Sequence, residues 1–327
     1  MRIAVTGSIA TDHLMAFPRK FADQLIAEQL DKISLSLLTD ELEIRHGGVA
    51  ANIAFGLGSL GLAPLLVGAA GVDFGDHHQL WLKEHGVDTD GVRVSETLHT
   101  ARFVCASDTE QNQIGFFYAG AMAEAHKIDL GELVRRTGAV DLVVVSPNDP
   151  AAMLRHTRDC VALGIPFVAD PSQQLARLER DEVRALLEGP RHLFTNAYES
   201  VLIQERSGWT EQQILARVGT WVTTHGSKGS LISRADAAPV SVPPLPSVKT
   251  VDPTGAGDAF RSGFLAALAW GLGHEDAARL GSGVAALALE SRGTQEYALD
   301  PGALLERLTA GYGAAAVGNL AHRLRAL

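Results

Sequence analysis

The chain of 327 residues has only two cysteines, Cys105 and Cys160, far apart and outside any CxxC pair. That supports neither a disulfide framework nor a cysteine zinc site. It also lacks a Lys/Arg cluster, and the formal net charge is -10. Both features argue against nonspecific nucleic-acid or anionic-membrane partners, which need concentrated positive charge. No apolar run is long enough to span a bilayer, and the opening MRIAVTGSIATD has one basic residue and a short apolar run, unlike a signal peptide. The expectation is a soluble, cytoplasmic protein. His77, His78 and His85 have no carboxylate or cysteine at metal-ligand spacing, and HHQLWLKEHG reads as a charged helix carrying them as solvated residues. No histidine-bound metal is expected. GxxxxGK[ST] is absent too, so any nucleotide must be bound without a P-loop.

What is present points to a large α/β fold. Hydrophobic residues make up 46% of the chain, enough for a sizeable core. Arg2 to Thr6 and Leu65 to Ala70 read as buried parallel strands, as do Leu142 to Ser146, Pro166 to Ala169, His192 to Thr195 and Trp221 to Thr224. They alternate with helical stretches such as Ala151 to Leu163, Glu182 to Leu187 and Asp276 to Leu289. Such repetition predicts right-handed βαβ crossovers and a sheet covered by helices on both faces. A different pattern interrupts it. A helical piece near Phe21 to Leu30 precedes the alternating KISLSLL, and Ala101 to Ser107 and Gln113 to Tyr118 alternate around the polar DTEQN. These pieces predict a small sheet, a lid over the mouth of the main domain. The domain reading is one unit over 1–327, with the lid at about 13–46 and 99–119.

The candidate site starts at Val251 to Leu265, VDPTGAGDAFRSGFL. Gly255, Ala256 and Gly257 leave nearly bare backbone at a helix start, where unpaired N–H groups and the helix dipole favour an anion. Asp258 follows in the first turn, placed to take a proton from an attacking hydroxyl; a plain glycine-rich loop with a helix-start acid is the alternative. Asp12 falls beyond the end of the first strand, where ligands bind in open α/β sheets; it is either a grip for two sugar hydroxyls or a turn aspartate. His46-Gly47-Gly48-Val49-Ala50-Ala51-Asn52 allows close approach to backbone and offers an amide that donates and accepts. Gly56-Leu-Gly58-Ser-Leu-Gly61 matches the dinucleotide fingerprint but falls inside or at the end of a helix, the wrong context for it. Asp170-Pro-Ser-Gln173, Asn196 to Glu199 and Thr223 to Gly229 follow three strand ends that should converge on one crevice; the alternative for each is plain loop or capping chemistry. Asn196 and Glu199, three apart on a helical turn, share a face and suit water-mediated binding of magnesium near a triphosphate. Gly226 and Gly229 flank a tight strand-turn-strand that admits a nucleotide.

These stretches resemble the ribokinase, or PfkB-type, carbohydrate kinases. Gly47-Gly48-Val-Ala50-Ala-Asn52-Ile-Ala54 with Gly61 and Gly71 looks like the family's first signature, and Asp252-Pro-Thr-Gly255-Ala-Gly257-Asp258 looks like its second. The resemblance implies a three-layer α/β/α sandwich with a mainly parallel sheet and a small β-sheet lid, and transfer of the ATP γ-phosphoryl group to a sugar hydroxyl. It implies Asp258 as base and Gly255, Ala256 and Gly257 as anion hole. Asn196 and Glu199 would support magnesium, Thr224, Gly226 and Gly229 would border ATP, and Ser8, Asp12, Gly48 and Asn52 would hold the acceptor. Asp252 and the Ser291 to Gly293 loop fall where many members bind a monovalent cation such as potassium. MRIAVTGSIATDHLMAFP, HGGVAAN, DPSQQLARL and ESRGTQE look most like the adenosine kinases of actinobacteria. On that likeness Phe103 and Phe117 stack on a purine, or else form lid core, while Gln173 addresses the base edge with Arg177 nearby. A ribokinase- or fructokinase-like sugar kinase and a non-catalytic sensor are the competing readings, and lid strands can also pair across a homodimer.

Overall fold

The computed structural model describes residues 1–25, 32, 34–110 and 112–327. Its strands are β1 (Ile3–Thr6), β2 (Ala10–Ala16), β3 (Glu41–Gly47), β4 (Leu65–Ala70), β5 (Asp88–Val94), β6 (Ala101–Ser107) and β7 (Gln113–Tyr118). They continue with β8 (Leu142–Val145), β9 (Phe167–Ala169), β10 (His192–Asn196), β11 (Thr220–Thr224), β12 (Ser230–Arg234) and β13 (Ala237–Val242). Nine form one sheet in the order β13-β12-β11-β10-β9-β8-β1-β4-β5. Every pairing from β5 through β11 is parallel, and β12 and β13 add an antiparallel edge.

Strand alternation splits the core in two. Along β8, Leu142 and Val144 belong to one apolar cluster and Val143 and Val145 to the other. The first cluster packs under the helices Val49–Ser59, Ala256–Ala269, His274–Leu289 and Pro301–Tyr312; the second packs under Pro150–Leu163, Arg180–Leu186 and Ala197–Ser207. This is the expected three-layer α/β/α sandwich with a mainly parallel sheet. Among the described residues, no helix is long and apolar enough to cross a membrane. Cys105 and Cys160 are both free and buried.

A second sheet has the order β3-β2-β6-β7, with β2 antiparallel to β3, parallel to β6, and β6 antiparallel to β7. The two strands flanking DTEQN form as expected. KISLSLL does not: positions 34–38 take no strand and Leu38 is exposed, while ATDHLMA and ELEIRHG supply β2 and β3. All three stretches alternate, so pattern alone cannot choose; β2 wins because it follows β1 directly and pairs along its full length with both β3 and β6. Of the helical piece expected near Phe21 to Leu30, Phe21–Gln24 forms one 3-10 turn, and positions 26–30 lie outside the described residues.

The histidine reading needs correction. His77 is exposed, but His78 is buried and stacks on His46 with ring centroids 4.4 Å apart, and His85 packs against Trp81 and Phe55. His78, Trp81, Leu82 and His85 stand at helical spacing on the inward face. The fingerprint-like glycines lie within the helix Val49–Ser59 and just past its end, as expected. Gly56 is there for close packing, since a Cβ would sit 2.3 Å from Ser262 Oγ.

Candidate active site

The Gly255 to Asp258 stretch forms the N-terminus of the helix Ala256–Ala269. Gly255 has φ 76°, the left-handed region, and a Cβ there would lie 2.7 Å from Thr294. Only glycine meets both demands without strain. In this first turn the Ala256 N–H reaches the Pro253 carbonyl at 3.4 Å, while those of Gly255, Gly257 and Asp258 have no carbonyl partner among the described residues, an arrangement that favours an anion. Asp258, half-buried, accepts a 2.8 Å hydrogen bond at Oδ2 from Asn52 Nδ2. Burial pushes its pKa above the ordinary aspartate value, while the Arg261 guanidinium and the Asn52 amide pull the other way.

Asn52 joins two parts of the chain that are distant in sequence. It is buried in the helix Val49–Ser59, and its Oδ1 accepts from Thr294 Oγ1 and Gln295 Nε2, each at 2.9 Å. Its amide orientation is thus fixed by three partners, and its expected place against an acceptor is shared with a hold on Asp258. Gly48, with φ 94°, begins that helix; a Cβ would come within 2.6 Å of the Ser8 carbonyl and the Ala10 nitrogen. Ser8 Oγ accepts from the Val49 N–H at 2.9 Å and so satisfies one of the helix's free donors.

Asp12 sits on β2 with its carboxylate against Gly47, where a Cβ would be 3.0 Å from Oδ2. It is a strand residue, not a turn aspartate. Burial first, then the charges of Glu296 and Asp252, raise its pKa to about 6. The ladder pairs Arg45 with Asp12, Asp12 with Phe103 and Phe103 with Phe117, a continuous row across β3, β2, β6 and β7. Residues directly opposed in a sheet share a face, so the carboxylate and both rings stand together. Phe103 is 36% exposed and Phe117 53%. They are not lid core, which would leave them covered.

On the other side of Gly257 lies a cavity of about 490 Å³ lined by Ser172, Asn196, Glu199, Thr224, Gly226 and Arg261, among others. The strand ends of β9, β10 and β11 do converge, as the parallel sheet requires. Asn196 and Glu199 also make a reciprocal capping box: Asn196 Oδ1 accepts from the Glu199 N–H at 2.8 Å and Glu199 Oε2 from the Asn196 N–H at 2.7 Å. Glu199 Oε1 accepts from Ser172 Oγ at 3.2 Å. Each carboxylate oxygen keeps lone-pair capacity, which suits contact with a cation's waters better than direct ligation. Gly229, φ 87°, would place a Cβ 2.2 Å from the Val242 carbonyl. Asp252 accepts from the Thr254 N–H at 2.9 Å and the Gly293 N–H at 3.2 Å, so it does meet the 291–293 loop.

Gln173 and Arg177 stand apart. Both are exposed around the turn Ser172–Ala176, and no side-chain hydrogen bond among the described residues ties either to this cluster. Their neighbour Gln174 is the buried one. Sequence reasoning missed Thr294, Gln295 and Arg261. Arg261 is buried, with Nη2 donating to Asp170 Oδ1 at 2.6 Å; its spacing of three from Asp258 on one helix was the available signal.

Comparison with known proteins agrees with this geometry. The family described as pfkB family carbohydrate kinase matches residues 11–300. A nucleoside kinase of Methanocaldococcus jannaschii is 31% identical over 252 residues, 76% of this chain and 81% of that protein. A nucleoside kinase of Methanothermobacter thermautotrophicus is 31% identical over 275 residues, 82% and 86% of the two chains. The Burkholderia thailandensis nucleoside kinase, solved in complex with inosine, superposes with a TM-score of 0.83 at 30% identity, covering 95% of this chain and 98% of that one. The chain therefore belongs to the pfkB family of carbohydrate kinases, ATP-dependent enzymes that phosphorylate a hydroxyl group of a sugar or nucleoside.

Proposed function

We propose that this kinase transfers the γ-phosphoryl group of ATP to the 5′-hydroxyl of adenosine, giving AMP. The row of Asp12, Phe103 and Phe117 carries this reading: a carboxylate suited to ribose hydroxyls stands on the same sheet face as two uncovered rings suited to a purine. A plain sugar would use the carboxylate and leave the rings idle. Support also comes from the Burkholderia thailandensis enzyme, which was solved with inosine. The small sheet acts as the lid, bringing the rings over the nucleoside and excluding water that would hydrolyse ATP.

In this reading Asp258 takes the proton of the 5′-hydroxyl as its oxygen attacks the γ-phosphorus. The N–H groups of Gly255, Ala256 and Gly257 receive the charge that develops on the phosphoryl oxygens. Thr224, Gly226 and Gly229 border ATP, and Gly48 and Asn52 complete the acceptor side. Gln173 and Arg177, exposed around the turn Ser172–Ala176, are assigned to the base edge. Magnesium, held through water by Glu199 and Asn196, would offset the polyphosphate charge. Potassium would sit at Asp252 and the 291–293 loop, where the carboxylate already meets the loop backbone.

The test is an acceptor panel of adenosine, inosine, ribose and fructose, followed as ADP release with and without magnesium. Adenosine should give the highest kcat/KM. Turnover of ribose or fructose without turnover of either nucleoside would assign the enzyme to sugars, and saturable binding without ADP release would make it a sensor.

A further inference from the structure

The roles proposed above leave Arg261 without one. Its guanidinium is an expensive thing to bury: the side chain is 9% exposed, and its partner Asp170 is fully covered. Removing such a pair from water costs several kcal/mol per ion unless the surroundings repay it. Here repayment is incomplete, because Arg261 Nε and Asp170 Oδ2 are both buried without a hydrogen-bond partner among the described residues. A pair kept only for stability would be expected to have these positions satisfied.

Placement suggests what the arginine is for. Arg261 follows Asp258 by three positions on the helix Ala256–Ala269, so both rise from one face. Its side chain folds back toward the helix start, and a Cβ on Gly257 would lie 2.7 Å from Nη1. Glycine at 257 thus leaves room for a guanidinium nitrogen beside the bare N–H groups of the cradle. Asp170 holds the opposite nitrogen, Nη2, and the planar fork fixes the direction of the rest. Among the described residues lining the 490 Å³ cavity, Arg261 alone carries a fixed positive charge, and Glu199 lines the same cavity. A polyphosphate entering there adds negative charge that backbone dipoles alone would have to offset.

We propose that Arg261 is a catalytic residue that donates from Nη1 to the phosphoryl group in transit, and that Asp170 is the positioning residue that aims it. The inference rests on Gly255 to Gly257 being the phosphoryl cradle. The bond from the γ-phosphorus to the β–γ bridging oxygen breaks, ADP leaves with its electron pair, and the acceptor oxygen bonds to phosphorus. The acceptor's proton goes to Asp258. Arg261 stays protonated throughout and supplies charge and hydrogen bonds only.

Wild type, Arg261→Lys, Arg261→Gln and Asp170→Asn are compared by thermal melting, by kcat and KM for ATP, and by affinity for ADP with and without aluminium fluoride, the acceptor being the one wild type uses best. Arg261→Gln should lose about a hundredfold to a thousandfold in kcat. It should keep ADP affinity within about threefold and lose the tightening that aluminium fluoride gives wild type. Arg261→Lys should recover part of kcat, and Asp170→Asn should lose about tenfold with KM little changed. If Arg261→Gln does not fold, the lysine and asparagine variants decide. Folded Arg261→Lys and Asp170→Asn enzymes with wild-type kcat overturn the proposal. So does a folded variant that loses ADP affinity and kcat equally while still tightening with aluminium fluoride. Wild-type protein that releases no ADP with any acceptor would instead refute the reading of the cradle beneath it.

Discussion

The two halves of the site are built differently. Around Asp258 nearly every group is fixed: Gly255 is held against Thr294, Asn52 is locked by three hydrogen bonds, and Glu199 is tied into a helix cap. Around Asp12 the partners are a four-stranded sheet and two rings that remain 36% and 53% exposed. On the proposed reading the Asp258 half performs phosphoryl transfer, which gains mostly from alignment and prearranged charge, and that half is set in the main domain. Acceptor choice needs a surface that closes on a ligand, and side chains on a thin sheet can differ between relatives without disturbing the core.

The sharpest way to break that division is to disable the fixed half. Asp258→Asn keeps the shape and removes the proposed base, and kcat should fall by about a hundredfold to ten-thousandfold. Circular dichroism and melting should stay near wild type. A variant within tenfold of wild-type turnover would mean the hydroxyl loses its proton elsewhere. Asn52→Ala should act through the same carboxylate. It leaves Asp258 Oδ2 and Gln295 Nε2 each short of a partner, while Thr294 Oγ1 keeps the His46 carbonyl, so kcat should drop by about tenfold to a hundredfold and stability by about 1–3 kcal/mol. Equal loss of kcat and kcat/KM would fit loss of base alignment, whereas a rise in acceptor KM alone would return Asn52 to the acceptor side.

The sequence was most informative where a local rule has one solution. Glycines at 48, 229 and 255 were legible because positive φ and close backbone approach exclude other residues. β6 and β7 were legible because each alternates beside a polar turn. β5, DTDGVRV, was not: it is polar, interrupted by Gly91, and defined by its register on β4. KISLSLL misled because alternation states that a strand is possible and not where its partner lies. Asn196 and Glu199 were found for their spacing, yet that N-x-x-E spacing is equally a capping box, and the structure contains one. His78 was readable as inward-facing from its spacing to Trp81, Leu82 and His85, had helical period outweighed polarity. The contacts Asn52 to Asp258 and Asp170 to Arg261 were out of reach, since folding alone brings those segments together.

The exposed half should respond in binding and not in chemistry. Phe117→Ala removes a stacking surface worth about 1–3 kcal/mol per base. Adenosine KM should rise by about fivefold to a hundredfold with kcat within threefold, and any turnover of ribose should be unchanged. Equal losses for ribose and adenosine would place Phe117 in lid folding instead. Asp12 gives a pH signature on the same side. Under the proposed role its carboxylate accepts from two sugar hydroxyls at once only when ionised, since protonation turns one oxygen into a donor, and its pKa is raised to about 6. Acceptor kcat/KM should therefore be full above pH 7 and fall as pH drops through about 6, and Asp12→Asn should be low throughout and lack that step. A wild-type profile flat from pH 7 to 5 would remove Asp12 from acceptor binding.

The smallest expected effect lies at the seam between the halves, where His46 at the end of β3 stacks on buried His78. Burial, then the neighbouring His46, lower the His78 pKa to about 3, and neither ring nitrogen is within hydrogen-bonding geometry of a partner among the described residues. The unfolded chain protonates this ring near pH 6.5 and the folded chain does not, so the unfolded state binds the extra proton between those values. Stability from this group is thus complete above pH 6.5 and falls as pH decreases toward 3, by about 1–2 kcal/mol at pH 5. His156 and His192, also buried with lowered pKa values, add acid sensitivity of the same sign. His78→Phe separates the contributions: it keeps an aromatic ring against His46 and removes the titration, while the other two histidines act equally in both proteins. Its melting temperature should fall less steeply than that of wild type from pH 7 to 5. Parallel curves would mean that His78 gains its proton without unfolding, and the seam would then hold by stacking alone.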